Sequence, residues 1–547
     1  MNQQEQRRIP VSTHKSASLI HAFRGTVIAI LVAIPAGFAQ VVTYPAPTGL
    51  VTSTDFTLQV NGQAVWVENL FSGYVNAANF SCAGPVTIKV TASENITKFI
   101  IRPKSRGIIG QVSGRDLTFS LPGPQKVYVE VNNLTHLVIF ANPLEVNPPQ
   151  QGNANVTYYG PGAANPGTIT LQNNQTVYIA GGASVTASIS GTNVRNARII
   201  GRGFLNGHIR LTGCSNIEID GVFVRSNGGW VVVPTNCDSV TIRNVKVISP
   251  PGGGDGMDLC ASRFVRVVDC FVRAGDDCIT VKSLSTGVTL IDSITVSGCI
   301  MVGWGTSDGF TMGYEELSAL EQNILVKDCD ILYSTTGGHS AFSIICDGRA
   351  WIKHVRFEDI RAEENITAPF GNFNLMVTDA QQWVHDVPGH IQGVYLKNCS
   401  WENGNNHLQL QGYGPNNLVD SVTFDHCTVG GKLLKSFADA TWHNNQYIKN
   451  IRFIDTPTEA QLPAARQAAI PGEWMRAGVN GGVLRISIDR PGRYSLDITD
   501  LSGALVGRFA GVNAGSFVLP ASQLKPGAYV VRLRTSAGVM SRTVAAW

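Results

Sequence analysis

The chain has 547 residues, 44% of them hydrophobic and 15% charged, which is enough apolar content to bury large cores and excludes a disordered chain. Its 42 Lys and Arg against 39 Asp and Glu leave a formal charge of +3, with no basic excess to call for nucleic acid and no charge bias to select an acidic or basic partner. Its 57 glycines, 8% aromatic content and many short Val/Ile runs indicate a turn-rich β protein of two or three domains.

At the N-terminus, Arg7, Arg8, Lys15 and Arg24 precede the apolar run TVIAILVAI and the small residues Gly37 and Ala39. This is the pattern of an export signal over residues 1–39, the alternative being a membrane anchor, for which the run is short. Export predicts a secreted or cell-surface location. Next, DFTLQVNGQAVWVENL places Asn61-Gly62 between alternating strands, the signature of a tight hairpin. Further short strands succeed it, so residues 41–150 are expected to form a β-sandwich. A Pro/Gly/Asn-rich stretch then joins this sandwich to a long repetitive region.

From Val156 to Pro457 the chain repeats itself. VRVVDC, ITVSGC, ILVKDC, VYLKNC and VTFDHC close on Cys270, Cys299, Cys329, Cys399 and Cys427, and IEIDGV, VTIRNV, VRFEDI and IRFIDT are copies without the cysteine. Val222, Val245, Cys270, Cys299 and Cys329 are separated by 23, 25, 29 and 30 residues. Such periods with alternating apolar residues predict an all-β solenoid, a right-handed parallel β-helix flanked by the sandwich and by a small C-terminal β-sandwich at 475–547. Equivalent residues then stack at roughly 4.8 Å, and the cysteines form an inward apolar file rather than disulfide bridges.

A second strand recurs within the coils as DGMDLC, DCITVK, DGFTMG and SAFSII. Aligning Met257, Ile279, Phe310 and Phe342 puts Asp255, Asp277 and Asp308 in one file, with Asp276 beside it. Stacked carboxylates repel one another, and Asn would serve a turn at less cost. Crowding of this kind raises the pKa of one carboxyl while others stay ionised, which provides the acid and the base of glycoside hydrolysis. Turn capping and calcium binding are the alternatives. The catalytic reading calls for no metal and no cofactor.

DGMDL followed by GDDCITVKS, with 21 residues between Asp255 and Asp276, resembles the paired motifs of polygalacturonases and related β-helical glycosidases. That resemblance implies Asp276 as general acid, Asp255 and Asp277 as the pair that holds and deprotonates water, and inversion at the sugar. Two motifs depart from the family. Asp308 stands where its Gly-His-Gly histidine would, and Ser343, Ile344 and Ile345 stand where an Arg-Ile-Lys triplet grips the substrate carboxylate. Lys282 or Arg349 would have to supply the missing cation. The order sandwich then β-helix, with Asp308, Met312, Gly313 and Tyr314 on the third strand, is also similar to dextranases and isopullulanases, which act on neutral α-glucans.

The expected substrate is therefore a polysaccharide or oligosaccharide, with a neutral glycan such as an α-glucan preferred and the pectin backbone as runner-up. Asp308, Lys282, Tyr314 and Trp304 are the expected binding residues, and Trp230 and His339 are further candidates. A non-catalytic glycan-binding solenoid and a lyase using Arg273 or Lys282 as base are the other classes. The insert ENITAPFGNFNLMVTDAQQWVHDVPGH is a candidate wall for one end of the groove. Finally, DLSGALV and LKPGAYVVRL near the C-terminus resemble bacterial sorting domains, which implies an outer-membrane secretion machinery as a partner, the alternative being a β-sandwich accessory or carbohydrate-binding module.

Overall fold

The computed structural model describes residues 40–226, 228–303, 308–334, 340–365, 372–379, 384–403 and 407–455, together with seven strands between 475 and 546. The leader at 1–39 lies outside the described residues.

Asn61 and Gly62 both have positive φ (49° and 79°), and they join Phe56–Val60 to Gln63–Val65 as the expected two-residue hairpin. This hairpin belongs to a five-stranded sheet that faces a six-stranded one. Apolar residues alternate along Phe56–Val60 and Val86–Ala92, so one face of each strand enters a core shared with Phe80, Val129 and Ile139.

From Val156 to Ile454, the described residues form one sheet system of 32 strands that pair in parallel from coil to coil, except for Lys432–Leu433, which pairs antiparallel with Thr428–Val429. Their corners explain the repeated phrase. Asn244, Asp269, Asp328, Asp359, Asn398 and His426 all have φ between 48° and 55°, and Gly298 has φ 66°. Asn, Asp and Gly are the residues that tolerate this left-handed turn, and each turn swings the next side chain inward. Val245, Cys270, Cys299, Cys329, Ile360, Cys399 and Cys427 accordingly share the solenoid core. All eleven cysteines are free and buried.

Cys299 is fully buried, and its Sγ stands 3.5 Å from the Cys270 backbone nitrogen. Replacing it by Ser puts a hydroxyl into this apolar file and is expected to cost about 1–3 kcal/mol in urea unfolding. Dithiothreitol, in contrast, should leave the wild-type midpoint where it is, because no bridge is there to reduce.

The strands that carry the acid motifs are numbered β1 (Met257–Cys260), β2 (Ile279–Lys282), β3 (Phe310–Met312), β4 (Phe342–Cys346), β5 (Phe373–Val377) and β6 (His407–Gln411). Their register is the predicted one, with Met257 opposite Ile279, Ile279 opposite Phe310, and Phe310 opposite Phe342. Phe342 continues onto Phe373, so β5 is a coil strand drawn from the middle of the supposed groove wall. Much of the rest of that insert lies outside the described residues.

The sandwich rests on the solenoid through an apolar patch in which Tyr128, Val138 and Phe140 meet Phe223, Phe271 and Ile300. The C-terminal strands form a three-stranded and a four-stranded antiparallel sheet.

Candidate active site

The residues preceding β1, β2 and β3 share the register of those strands. Gly256 N–H donates to the Asp277 carbonyl (2.8 Å), and Cys278 N–H donates to the Asp308 carbonyl (2.9 Å). Asp255, Asp277 and Asp308 therefore stand in one file, each nearly buried at 3%, 5% and 5% exposure. Two glycines make the approach possible. A Cβ on Gly256 would lie 2.6 Å from the Cys278 carbonyl oxygen, and one on Gly275 would lie 2.0 Å from that of Pro250.

One carboxylate oxygen from each of Asp255, Asp276 and Asp277 lies within 4.8 Å of the other two, and Asp276 is the most open of the three. The group is small enough to enclose one water or one cation. Backbone donors organise it, since Asp277 N–H donates to Asp276 Oδ1 (3.1 Å) and Asp308 N–H donates to Asp277 Oδ1 (2.8 Å).

Asp308 is held inside the file. Its carboxylate accepts the Ser343 hydroxyl and the Ser340 N–H, and Ser343 also pairs with Thr311 Oγ1 at 2.7 Å. The position where an Arg would grip a uronate thus carries a hydroxyl committed to an aspartate. Ile344 is core, and Ile345 is 2% exposed. Outward residues continue this polar floor in register, from Asp258 through Thr280, Thr311, Ser343 and Asn374 to Gln409.

Lys282, at the end of β2, lies beneath the acids. Its Nζ is 3.2 Å from Asp255 Oδ2, 3.3 Å from Glu315 Oε2 and 4.0 Å from Asp258 Oδ1, and it sits 4.6 Å from the centre of the Trp230 ring. Burial disfavours its charge, but the surrounding carboxylates outweigh burial and raise its pKa. Asp258 is fully buried, and burial, followed by the neighbouring Asp255, pushes its carboxyl well up. Burial also raises the Tyr314 phenol, reinforced by the charges of Asp308 and Asp277.

Other expectations are corrected. Arg273, a candidate lyase base that flanks the acids in sequence, turns to the sandwich instead. Its guanidinium donates to the Tyr128 hydroxyl (2.6 Å) and lies over the Tyr74 ring (4.1 Å), on the sandwich side of the coil. Arg349 is exposed and paired with both oxygens of Asp386 at 2.7 Å. Trp304 and His339 lie outside the described residues. Sequence reasoning missed Asp258 and Glu315. Asp258 alternates with inward Met257 and Leu259 and was legible as an outward acid, whereas Glu315 sits in a loop with no periodic signal.

Residues 207–369 match the family of glycosyl hydrolases family 28. The chain carries a family 28 glycosyl hydrolase domain. Polygalacturonase QRT2 of Arabidopsis thaliana is 24% identical over 236 residues, 39% of this chain and 51% of that protein. Probable endo-xylogalacturonan hydrolase A of Aspergillus fumigatus is 26% identical over 208 residues, 35% of this chain and 47% of that protein. The chain spans about half or less of the length of these curated relatives. Among solved structures, Dex49A from Penicillium minioluteum aligns over 75% of this chain and 96% of its own, with 14% identity and a TM-score of 0.49. The family 28 segment contains Asp255, Asp276, Asp277 and Asp308, together with Lys282 and Glu315.

Proposed function

We propose that this protein is a glycoside hydrolase that cleaves a polysaccharide or oligosaccharide of neutral sugars with inversion. The grouping of Asp255, Asp276 and Asp277 within 4.8 Å inside a family 28 segment carries this reading. Asp276, the most open of the three, would protonate the leaving oxygen. Asp255 and Asp277, tied to Lys282 and to a backbone N–H, would hold a water on the other side of the sugar and take its proton.

Neutral sugars are favoured because both candidate cations are engaged, Lys282 by Asp255 and Glu315 and Arg349 by Asp386. The names of the curated relatives favour a second substrate, the pectin backbone. Reducing-sugar release from dextran, pullulan, neutral plant glycans and polygalacturonate separates the two, and release without an ultraviolet-absorbing unsaturated product excludes a lyase. The proposal includes export, with residues 1–39 as signal and 475–547 as sorting module. Mass measurement of the protein recovered outside the cell tests both cuts.

Stereochemistry provides a further test. Inverting sites usually separate acid and base carboxyls by roughly 6.5–9.5 Å and retaining sites by about 5–5.5 Å. The present oxygens are closer than either, so inversion here rests on Asp255 and Asp277 acting as a pair around one water. Proton NMR in the first minutes of reaction should show the inverted anomer. The retained anomer would instead make one of the two a nucleophile.

A further inference from the structure

Glu315 follows Tyr314 on the loop that leaves β3, and its backbone is unusual. Its φ is +70°, in the left-handed region that glycine or asparagine occupies at little cost and glutamate does not. The chain nevertheless holds it there from several sides. Its N–H donates to Asp347 Oδ1 (2.9 Å), and its carbonyl accepts the Leu284 N–H and the Ser283 hydroxyl, both at 3.0 Å. A glycine would make these contacts, and accept the Leu317 N–H at the same carbonyl (3.1 Å), without strain. What only the glutamate adds is its side chain.

That side chain, 21% exposed, reaches back to the acid file and places Oε2 3.3 Å from Lys282 Nζ. The ammonium is thereby enclosed by Asp255, Glu315 and the Trp230 ring. A lysine this close to the water-holding acid is where the carboxylate of a bound uronate would find its counter-charge. In this chain the position is filled from within. A uronate arriving here would lose that partner and meet Glu315 and the aspartates as like charges.

We infer that Glu315 is a specificity-determining residue, an internal carboxylate that occupies Lys282 in place of a substrate carboxylate and so restricts the groove to uncharged sugars. This rests on the neutral-glycan reading above and supplies its structural cause. The same loop carries Tyr314, so the restriction is built into the segment that borders the sugar site.

The test compares wild type, Glu315→Gln and Glu315→Ala on the neutral glycan that wild type cleaves and on polygalacturonate. The expected result is a shift of the kcat/KM ratio toward polygalacturonate by about tenfold or more in both variants, mainly through KM and weakened by added salt. A second readout does not depend on turnover. Calorimetric binding of galacturonate oligosaccharides to Asp276→Asn should tighten when Glu315→Gln is added.

An unchanged ratio and unchanged binding, in variants whose thermal midpoints show them folded, would overturn the inference. So would an equal fall on both substrates, which would make Glu315 a brace for Lys282 alone. If wild type with Glu315 in place prefers polygalacturonate, the substrate reading fails and takes this inference with it. If wild type cleaves the neutral glycan and only the ratio stays fixed, the role of Glu315 alone is refuted.

Discussion

Asp276→Asn should lower kcat/KM on an unactivated glycan by about 10³- to 10⁴-fold, the upper part of the range for losing a general acid. The substitution is gentle on structure. Asp276 accepts the Asp277 N–H through Oδ1, and the amide oxygen of Asn can accept the same bond. What disappears is the proton for the leaving oxygen. An aryl glycoside with a stable phenolate leaving group needs no such proton, so the same variant should lose only about tenfold there, below the 10²- to 10⁴-fold range of general acid effects. Asp255→Asn and Asp277→Asn should behave differently, losing activity to a similar degree on both substrates because water must be activated in either case. Initial rates on the two substrates suffice. An Asp276→Asn loss that is equally large on both would assign the acid role to another residue and return Asp276 to the water-holding pair.

The sequence and the structure agree most closely where a repeating physical constraint writes itself into the residues. The left-handed corners demand Asn, Asp or Gly immediately before an inward residue, so Asn244, Asp269, Gly298 and Asn398 announce the coil at every turn. Inward alternation then sets the register, and with it the file of Asp255, Asp277 and Asp308. What the repeat cannot specify is the direction of a side chain that leaves it. Arg273 and Lys282 lie near the same acids in sequence, yet one turns toward Tyr128 on the sandwich and the other toward Asp255. That choice depends on which sheet of the coil each strand belongs to, and on a sandwich some 145 residues distant in sequence. Glu315 was hidden for a related reason. Its position follows from a loop conformation fixed by Asp347 and Ser283, residues of two other coils, rather than from any local pattern.

Arg102→Ala should be the most destabilising single change at the junction of sandwich and solenoid. Arg102 is 2% exposed, and its three nitrogens reach Glu130 (2.6 Å), Glu363 (2.6 Å) and Glu364 (3.1 Å), the last two on the solenoid. Removing it strands Glu363, itself 2% exposed, as a buried charge whose remaining support is the Lys104 N–H. Breaking a buried pair in this way typically costs about 3–5 kcal/mol. Arg102→Lys should recover only part of that, because an ammonium cannot span three carboxylates as a guanidinium fork does. The pH dependence has a definite sign. Burial already raises the Glu363 pKa against the pull of Arg102, and loss of Arg102 raises it further. A carboxyl raised in the folded state binds more protons there than when unfolded, so the variant loses stability as pH rises through and above the ordinary carboxylate range. Urea unfolding at about pH 5 and pH 7.5 should therefore show the gap from wild type widening at the higher value. A second change, Glu363→Gln, should narrow it at neutral pH by removing the stranded charge. A gap independent of pH and untouched by Glu363→Gln would mean that Arg102 acts through packing on Tyr333, over whose ring it lies at 5.0 Å, rather than through its acids.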